Sequence, residues 1–170
     1  MPKVIVVDAE RCYGCLSCVV ECSYRRAGAG PNAPLSWEIL SQAVCDVEAV
    51  GTDAVPLVCN HCEDAPCMAV CPTGAIHRES EGGPVLLDAA RCIGCKACVM
   101  ACPFGMARLR QDGTGAAKCD FCQDRQEEGL LPACVAACPS GAIELKDLDD
   151  VTADARRRAA AVLLGRGGAK

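Results

Sequence analysis

The amino-acid sequence predicts an α+β fold built from short strands and short helices. Three observations favour this fold. The 170 residues include 17 cysteines, of which sixteen fall into four groups of four. The chain also resembles itself at an offset of 80 residues. Finally, each of the two most similar cysteine groups follows a short aliphatic run that is typical of a strand.

The four cysteine groups have a spacing that is typical of iron–sulfur cluster ligands. They are Cys12-x2-Cys15-x2-Cys18-x3-Cys22, Cys59-x2-Cys62-x4-Cys67-x3-Cys71, Cys92-x2-Cys95-x2-Cys98-x3-Cys102 and Cys119-x2-Cys122-x11-Cys134-x3-Cys138. Proline follows the fourth cysteine in three of them, at Pro72, Pro103 and Pro139. In bacterial ferredoxins such a group binds a 4Fe–4S cluster with three cysteines, and its fourth cysteine ligates the neighbouring cluster. Sixteen such ligands predict four clusters and an electron carrier.

The chain is a duplicated module. Residues 7–22 align with residues 87–102 with nine identities in sixteen positions. The aliphatic runs Val4–Val7 and Val85–Leu87 are predicted strands. Gly14 and Gly94 lie between the first two cysteines of their groups, where we expect a permissive backbone that points peptide N–H groups at sulfur. Residues 58–76 and 118–143 also match, with seven extra residues in the second segment.

Each Cys-x3-Cys pair predicts a short helix that serves two clusters. Its two thiolates lie about 6 Å apart along the helix axis. The proline that follows stops the helix. The covalent chain therefore fixes the distance between neighbouring clusters, as electron hopping requires.

Composition limits the core and the partners. Aromatic residues make up only 3% of the chain, so we expect buried clusters to replace part of the apolar core and the apoprotein to be largely unfolded. The formal charge is −5 with neutral thiols, and sixteen thiolates with four oxidised cores bring it to about −13. This charge argues against nucleic acid or anionic lipid as partners and favours redox partners with positive docking surfaces.

The sequence favours a reducing cytoplasmic location. The run Val4–Val7 is too short for a signal-peptide core. The pair Arg25–Arg26 lies behind the first cysteine group and is not a twin-arginine signal. No apolar run approaches the roughly 20 residues of a membrane span. Reduced thiols stay free to ligate iron, which disfavours a disulfide scaffold.

The order of the groups, with x4 in the second and x11 in the fourth, resembles the four-cluster electron-transfer subunits of the DMSO reductase superfamily. The resemblance covers about residues 3–146. It implies two interleaved bacterial-ferredoxin-like lobes packed around iron–sulfur clusters. One lobe would comprise residues 1–30 with 108–147, and the other residues 52–107. Residues 31–51 would be an insert, and residues 148–170 a C-terminal helix and tail.

The resemblance also implies which cysteines share a cluster. Cluster one would be held by Cys12, Cys15, Cys18 and Cys138, and cluster two by Cys119, Cys122, Cys134 and Cys22. Cluster three would be held by Cys59, Cys62, Cys67 and Cys102, and cluster four by Cys92, Cys95, Cys98 and Cys71. Because all sixteen positions are cysteine, we expect four 4Fe–4S clusters.

The resemblance implies an electron-transfer subunit without a catalytic site. The small cytoplasmic members of the family match best, because the sequence has no predicted anchor or export signal. We expect a catalytic partner that is a tungsten or molybdenum pterin oxidoreductase acting on an aldehyde or formate. A flavin–NAD subunit, a hydrogenase or a ferredoxin would be the second partner, and copies of the chain could join into a longer wire. A CO dehydrogenase or a hydrogenase remains an alternative partner. A structural zinc protein is a poorer interpretation, because this spacing is unlike that of zinc sites.

Some residues outside the ligand groups have open interpretations. Cys45 is either a redox-active thiol or alternative ligand or, as we expect, a small buried side chain in a strand-like stretch. We expect His61 to donate a hydrogen bond near a cluster rather than to ligate iron, and His77 to lie at the surface.

Four basic residues adjoin ligand cysteines: Arg11, Arg91, Lys96 and Lys118. They either raise the cluster potential by countering thiolate charge or are solvated or paired with Asp8 and Asp88.

Two further segments have predicted structures. The x11 segment of the fourth group is predicted to be a solvated loop in which Leu130 and Leu131 could dock a partner. A helix is predicted from about Thr152 to Leu164, with an apolar stripe that closes over a lobe or docks on another subunit. The tail, residues 165–170, is predicted to be disordered.

Overall fold

The computed structural model describes residues 3–30 and 32–164, which form short strands and helices. The strands are β1 (Lys3–Val7), β2 (Asp46–Val50), β3 (Asp53–Leu57), β4 (Ile76–Arg78), β5 (Val85–Leu87), β6 (Arg108–Leu109), β7 (Ala116–Ala117) and β8 (Ile143–Asp147). The helices are α1 (Ser17–Ala27), α2 (Trp37–Leu40), α3 (Pro66–Ala69), α4 (Ala97–Ala101), α5 (Gln123–Glu127), α6 (Ala133–Ala136) and α7 (Leu148–Leu163). A 3₁₀ turn covers Ala9–Arg11. The predicted α+β class is confirmed.

The strands of the described residues pair in two-stranded antiparallel sheets. β1 pairs with β8, so that Lys3 lies opposite Asp147 and Val7 opposite Ile143. β4 pairs with β5 in the middle of the chain, and β6 pairs with β7. The valine, isoleucine and leucine side chains of β1 and β5 suit a half-buried pleated surface. Strands from residues 3–7 and 143–147 therefore meet in one sheet, and β4 and β5 form another.

The sequence duplication is visible in the backbone. The amide of Asp8, after β1, donates to the carbonyl of Ala142 at 2.8 Å. The amide of Asp88, after β5, donates to the carbonyl of Ala75 at the same distance. Each of these bonds joins the turn that precedes a cysteine group to the segment after another group's final cysteine. The two halves thus repeat one arrangement of strand, turn and cysteine group.

Two separate cores hold the fold together. The first contains Cys18, Cys22, Val44, Cys45, Val58, Cys134 and Ile143. The second contains Ala65, Cys67, Ile76, Val85, Cys98, Ala107 and Ala116. Cysteine and alanine thus provide much of the packing, as the low aromatic content predicts. Trp37, the only tryptophan, is 74% exposed.

The segment before the second cysteine group folds as a β-hairpin. The strand-like stretch at residues 44–50 contains β2, and β3 returns beside it after a turn at Gly51, whose φ is 64°. The hairpin crosses residue 51, where the sequence interpretation ends the insert. Arg108 on β6 binds Asp46 at 2.6 Å and ties the hairpin to the second half.

The x11 segment is not wholly a loop. It contains the one-turn helix α5, which the sequence interpretation missed because five residues carry too weak a helical period. Leu130 and Leu131, which follow α5, are 47% and 49% exposed.

The C-terminal helix begins earlier than predicted. α7 starts at Leu148, four residues before Thr152, because β8 runs directly into it. Asp149 and Asp150 occupy its first turn, where negative charge is favourable to the helix dipole. Lys146 of β8 pairs with Asp154 at 3.3 Å and holds the helix against the strand.

The far end of α7 carries the predicted apolar stripe. Val162 and Leu163 are 63% and 87% exposed, so this part of the stripe is not covered by the chain described. The predicted disordered tail lies outside the described residues. No helix within residues 3–30 and 32–164 has the length and apolar character needed to cross a membrane.

Replacement of Gly94 by alanine is expected to destabilise the fold more than the same change at Gly113. Both glycines have a φ of 68°, which costs about 1–2 kcal/mol for alanine. An added Cβ at Gly94 would lie 2.8 Å from the carbonyl oxygen of Thr114, whereas at Gly113 it would meet nothing within 4 Å. Thermal unfolding followed by circular dichroism should therefore rank Gly94→Ala below Gly113→Ala. Equal melting temperatures would contradict this prediction and would mean that the backbone at Thr114 moves to accommodate the added Cβ.

Candidate iron–sulfur sites

The third cysteine of each group lies on a helix, but the helix includes the fourth cysteine only in group one, so the predicted helix over both cysteines of each pair is wrong for the other three groups. Cys67, Cys98 and Cys134 are on α3, α4 and α6, each of which ends before its fourth cysteine. α1 carries both Cys18 and Cys22 and continues to Ala27. The difference follows from the sequence, because the three short helices precede a Cys-Pro pair and Cys22 is followed by serine.

In every group, the second of the two residues between the first two cysteines has a left-handed backbone conformation. In groups one and three this residue is Gly14 or Gly94, as the sequence predicts. In groups two and four it is His61, with a φ of 45°, or Phe121, with a φ of 60°. Non-glycine residues adopt this conformation only at a cost. The shape shared by the four Cys-x2-Cys loops therefore imposes it on His61 and Phe121.

Four pockets are lined by cysteines of the four groups, and each pocket contains one of the sets of four that the resemblance implies. Site one has Cys12, Cys15, Cys18 and Cys138. Site two has Cys22, Cys119, Cys122 and Cys134, and its pocket is also lined by Cys45 and Cys59. Site three has Cys59, Cys62, Cys67 and Cys102. Site four has Cys71, Cys92, Cys95 and Cys98. The structure thus brings together the sets of four that the resemblance implies, while ligation by them stays a prediction.

Neighbouring sites are joined by the chain itself. Cys18 and Cys22 on α1 line sites one and two. Cys67 on α3 lines site three, and Cys71 beyond that helix lines site four. Cys98 on α4 lines site four, and Cys102 at the end of that helix lines site three. Cys59 lines both site two and site three. The four sites therefore form one series, with sites two and three in the middle.

Burial opposes the ionisation of two thiols at site two. Burial raises the pKa of Cys119 well above its usual range and that of Cys134 to about 12. A thiolate in such surroundings needs a positive partner. Four cysteines around one pocket therefore suit an iron–sulfur core, whose iron supplies that charge.

Cys45 is buried, as expected, and contacts the ligand cysteines of α1. Its Sγ donates to the carbonyl of Cys18 at 3.4 Å, and its side chain is 4% exposed. The same thiol, as a hydrogen-bond donor, lowers the pKa of Cys18 to about 7 and that of Cys22 to about 6. The pKa of Cys45 itself is raised by these contacts, so Cys45 remains a protonated donor between sites one and two.

Two buried nitrogen atoms without hydrogen-bond partners lie at the inner sites. They are Nε of Arg25 and Nε2 of His61, the unpaired buried side-chain polar atoms among the described residues. Nδ1 of His61 accepts from the amide of Val85 at 3.0 Å, so the neutral ring carries its proton on Nε2. Burial, with Lys118 next in importance, lowers the pKa of His61 to about 3. Arg25 lines site two and His61 lines site three.

These N–H groups strengthen the fit of the sites to a sulfur-rich anionic group. A buried donor without a partner is costly. Cluster and cysteine sulfur accept hydrogen bonds, and such bonds tune iron–sulfur centres. The cysteines would hold each cluster through iron, and the bound clusters would supply one-electron redox chemistry.

The four basic residues next to ligand cysteines have different surroundings. Arg11 pairs with Glu144 at 2.8 Å and not with Asp8. Arg91 donates to the carbonyl of Thr73 at 3.1 Å, and Lys96 is exposed. Lys118 is 5% exposed, and its Nζ lies 3.3 Å from Sγ of Cys59. Of the four, Lys118 therefore has the arrangement needed to counter thiolate charge.

Sequence reasoning missed a contact between the Cys-x2-Cys loops of groups two and four. The rings of His61 and Phe121 pack edge to face with centroids 5.1 Å apart. These residues occupy equivalent positions in the matching segments at residues 58–62 and 118–122, so the alignment held a signal for a shared location. His77, predicted at the surface, is half-buried.

Comparison with known proteins identifies the same chemistry. Residues 50–148 match the family model described as "4Fe-4S dicluster domain". The chain is 38% identical over 149 residues to a tetrathionate reductase subunit of Salmonella typhimurium, covering 86% of this chain and 58% of that protein. It is 39% identical to thiosulfate reductase electron transfer subunit PhsB of Salmonella typhi, covering 86% and 77%. It is also 39% identical to electron transport protein HydN of Escherichia coli K12, covering 94% and 98%. The chain thus spans little over half of the first relative and nearly all of the last.

Replacement of Cys45 by alanine is expected to leave the iron content per chain unchanged. Cys45 donates to α1 but belongs to none of the four sets, so its loss removes a hydrogen bond and costs about 1 kcal/mol of stability. Iron and acid-labile sulfide should be measured per chain in anoxically purified protein. Cys22→Ala, in the same core, is the matched control and should lose iron. A loss of iron in Cys45→Ala as large as in the control would make Cys45 a ligand.

Proposed function

The chain belongs to the four-cluster iron–sulfur electron-transfer subunits of the DMSO reductase superfamily, and from this membership we propose that it relays single electrons between a catalytic subunit and a second redox partner. The route runs through four 4Fe–4S clusters, one in each of sites one to four, with the cysteines of each site as ligands. The observation that carries the proposal is the unbroken series of four cysteine-lined pockets.

We further propose that the series is divided between two lobes. Residues 1–30 with 108–147 would hold the clusters of sites one and two, and residues 52–107 those of sites three and four. Two observations support this division. The β1–β8 pairing brings the distant ends of the chain together, and each core surrounds the helices of two sites.

The outer sites are the proposed points of electron entry and exit. Cys15 of site one and Cys95 of site four are exposed, whereas Cys134 of site two and Cys67 of site three are buried. Exposed apolar side chains adjoin both outer sites: Tyr13 and Leu16 at site one, and Ile93 and Met100 at site four. A partner that covers these side chains would bring its own redox centre close to an outer cluster.

The catalytic partner is proposed to be a molybdenum or tungsten pterin oxidoreductase that acts on an aldehyde or formate. Two relatives are named as tetrathionate and thiosulfate reductase subunits, which supports a reductase of sulfur oxyanions as a second candidate. A flavin–NAD subunit or another electron carrier would be the second partner, and self-association would extend the wire. A cytoplasmic location suits the free thiols, and a CO dehydrogenase or hydrogenase is the alternative partner.

Paired cysteine substitutions test the proposed ligand sets. Cys15→Ala combined with Cys138→Ala changes two residues of site one and is expected to leave three intact 4Fe–4S clusters. Cys122→Ala combined with Cys138→Ala changes one residue in each of two sites and is expected to leave two. The readout is iron per chain, about sixteen in the wild type, with electron paramagnetic resonance spin counting after reduction. If the first pair loses two clusters, the pairing of groups one and four is wrong.

Purification from the native cell tests the partner. An affinity tag on this chain is expected to retain a larger subunit under anoxic conditions, and elemental analysis of the complex should find molybdenum or tungsten. Assays of the complex with formate, aldehydes, tetrathionate and thiosulfate then identify the substrate class. Nickel in place of either metal would favour the hydrogenase or CO dehydrogenase alternative. A colourless, zinc-containing protein would contradict the electron-transfer function altogether.

A further inference from the structure

Lys118 is a buried ammonium group between the two inner sites. Its side chain is 5% exposed. Nζ donates to the carbonyl of Val85 at 2.7 Å, to the carbonyl of Cys119 at 3.3 Å and to Sγ of Cys59 at 3.3 Å. Cys119 lines site two and Cys59 lines sites two and three. The ammonium therefore touches the cysteines at which the two halves of the series meet.

The positive charge of Lys118 has no carboxylate partner among the described residues. Asp120 is only two residues away in sequence, but it pairs with Arg25 at 2.6 Å and approaches Arg26 at 3.8 Å. A buried cation that lacks an ion pair is costly. Its counter-charge must come from the sulfur side of the site, where its Nζ contacts Cys59.

The equivalent position in the other half carries no charge. Lys118 precedes the first cysteine of group four, and Val58 precedes the first cysteine of group two. Val58 is also buried, at 7% exposure, and packs in the first core. Site two does have Arg25 and Arg26 in its lining, but Arg25 pairs with Asp120 and Asp124. Among the described residues, Lys118 is thus a buried charge without an ion pair, whereas the equivalent residue, Val58, is uncharged.

We propose that Lys118 is a positioning residue that sets the reduction potential of the cluster at site three, by favouring its one-electron reduced form. This inference rests on the proposed function. When the site-three cluster gains one electron, the cluster of site two or site four loses one, and the negative charge at site three rises by one. An ammonium in contact with a ligand sulfur stabilises that charge strongly, because little water screens it. The hydrogen bond to sulfur acts in the same direction.

The test replaces Lys118 by methionine, which keeps the length of the side chain but not its charge. In anoxically purified full-length protein, a redox titration followed by electron paramagnetic resonance should give the midpoint potentials of the clusters. We expect one of them to fall in Lys118→Met, with at least a tenfold smaller equilibrium constant for reduction, or about 59 mV for a one-electron couple. Lys118→Arg, which keeps the charge, should have a midpoint potential close to that of the wild type.

Matched variants separate charge from volume and from position. Val58→Met changes the equivalent buried position without a change of charge, and Lys96→Met removes an exposed lysine that adjoins Cys95 of site four. Neither should move a midpoint potential as far as Lys118→Met does, since the first alters no charge and the second removes a charge screened by water. An equal shift in Lys96→Met would mean that general surface charge is responsible, and would overturn the proposal.

The remaining outcomes also decide the question. Unchanged midpoints in Lys118→Met with full iron content would overturn the proposal while leaving the electron-transfer function intact. If Lys118→Met and Lys118→Gln both lose iron and Lys118→Arg does not, the charge serves cluster assembly rather than potential, which again overturns it. Wild-type protein without 4Fe–4S clusters would instead contradict the proposed function.

Discussion

The structure depends on burying sulfur that must carry negative charge. Cysteine supplies four of the seven residues of the first core, and two of the seven of the second. Burial alone opposes thiolate formation, as the raised pKa values of Cys119 and Cys134 indicate. At the predicted sites iron would relieve this conflict, because ligation would offset part of the thiolate charge within a compact core. We therefore expect folding and cluster binding to be coupled in this chain.

The duplication sets the geometry of the cysteine groups. The positions at which the two halves differ make the halves chemically unequal. The paired amide bonds of Asp8 and Asp88 show how closely the two halves repeat one backbone. The side chains at equivalent positions differ, with Val58 against Lys118 at the centre. The ligand spacing is identical in groups one and three and differs between groups two and four only in the x4 and x11 segments, so neighbouring side chains are a main source of differences in reduction potential. A mutation at the centre can thus alter where an electron resides without altering how far it travels.

The helices that carry the third cysteines were predictable from the Cys-x3-Cys spacing, but in three groups the helix ends before the fourth cysteine because a Cys-Pro pair follows. Gly14 and Gly94 were predictable as left-handed residues, since glycine has no Cβ to oppose that conformation. His61 and Phe121 adopt it as well, and no propensity predicts that, because the demand comes from the assembled loop. The burial of Lys118 was equally beyond local reasoning. It arises from long-range packing between residues 59, 85 and 118.

Water separates the roles of the inner and outer sites. At the inner sites the thiols are mostly buried, and there we propose that a fixed group, Lys118, shifts the potential. At the outer sites Cys15 and Cys95 are exposed, and solvent exposure is itself one determinant of cluster potential. A docked partner removes that water. In the proposed complex the end clusters would acquire their working potentials on docking, whereas the potentials of the central clusters would be set by this chain.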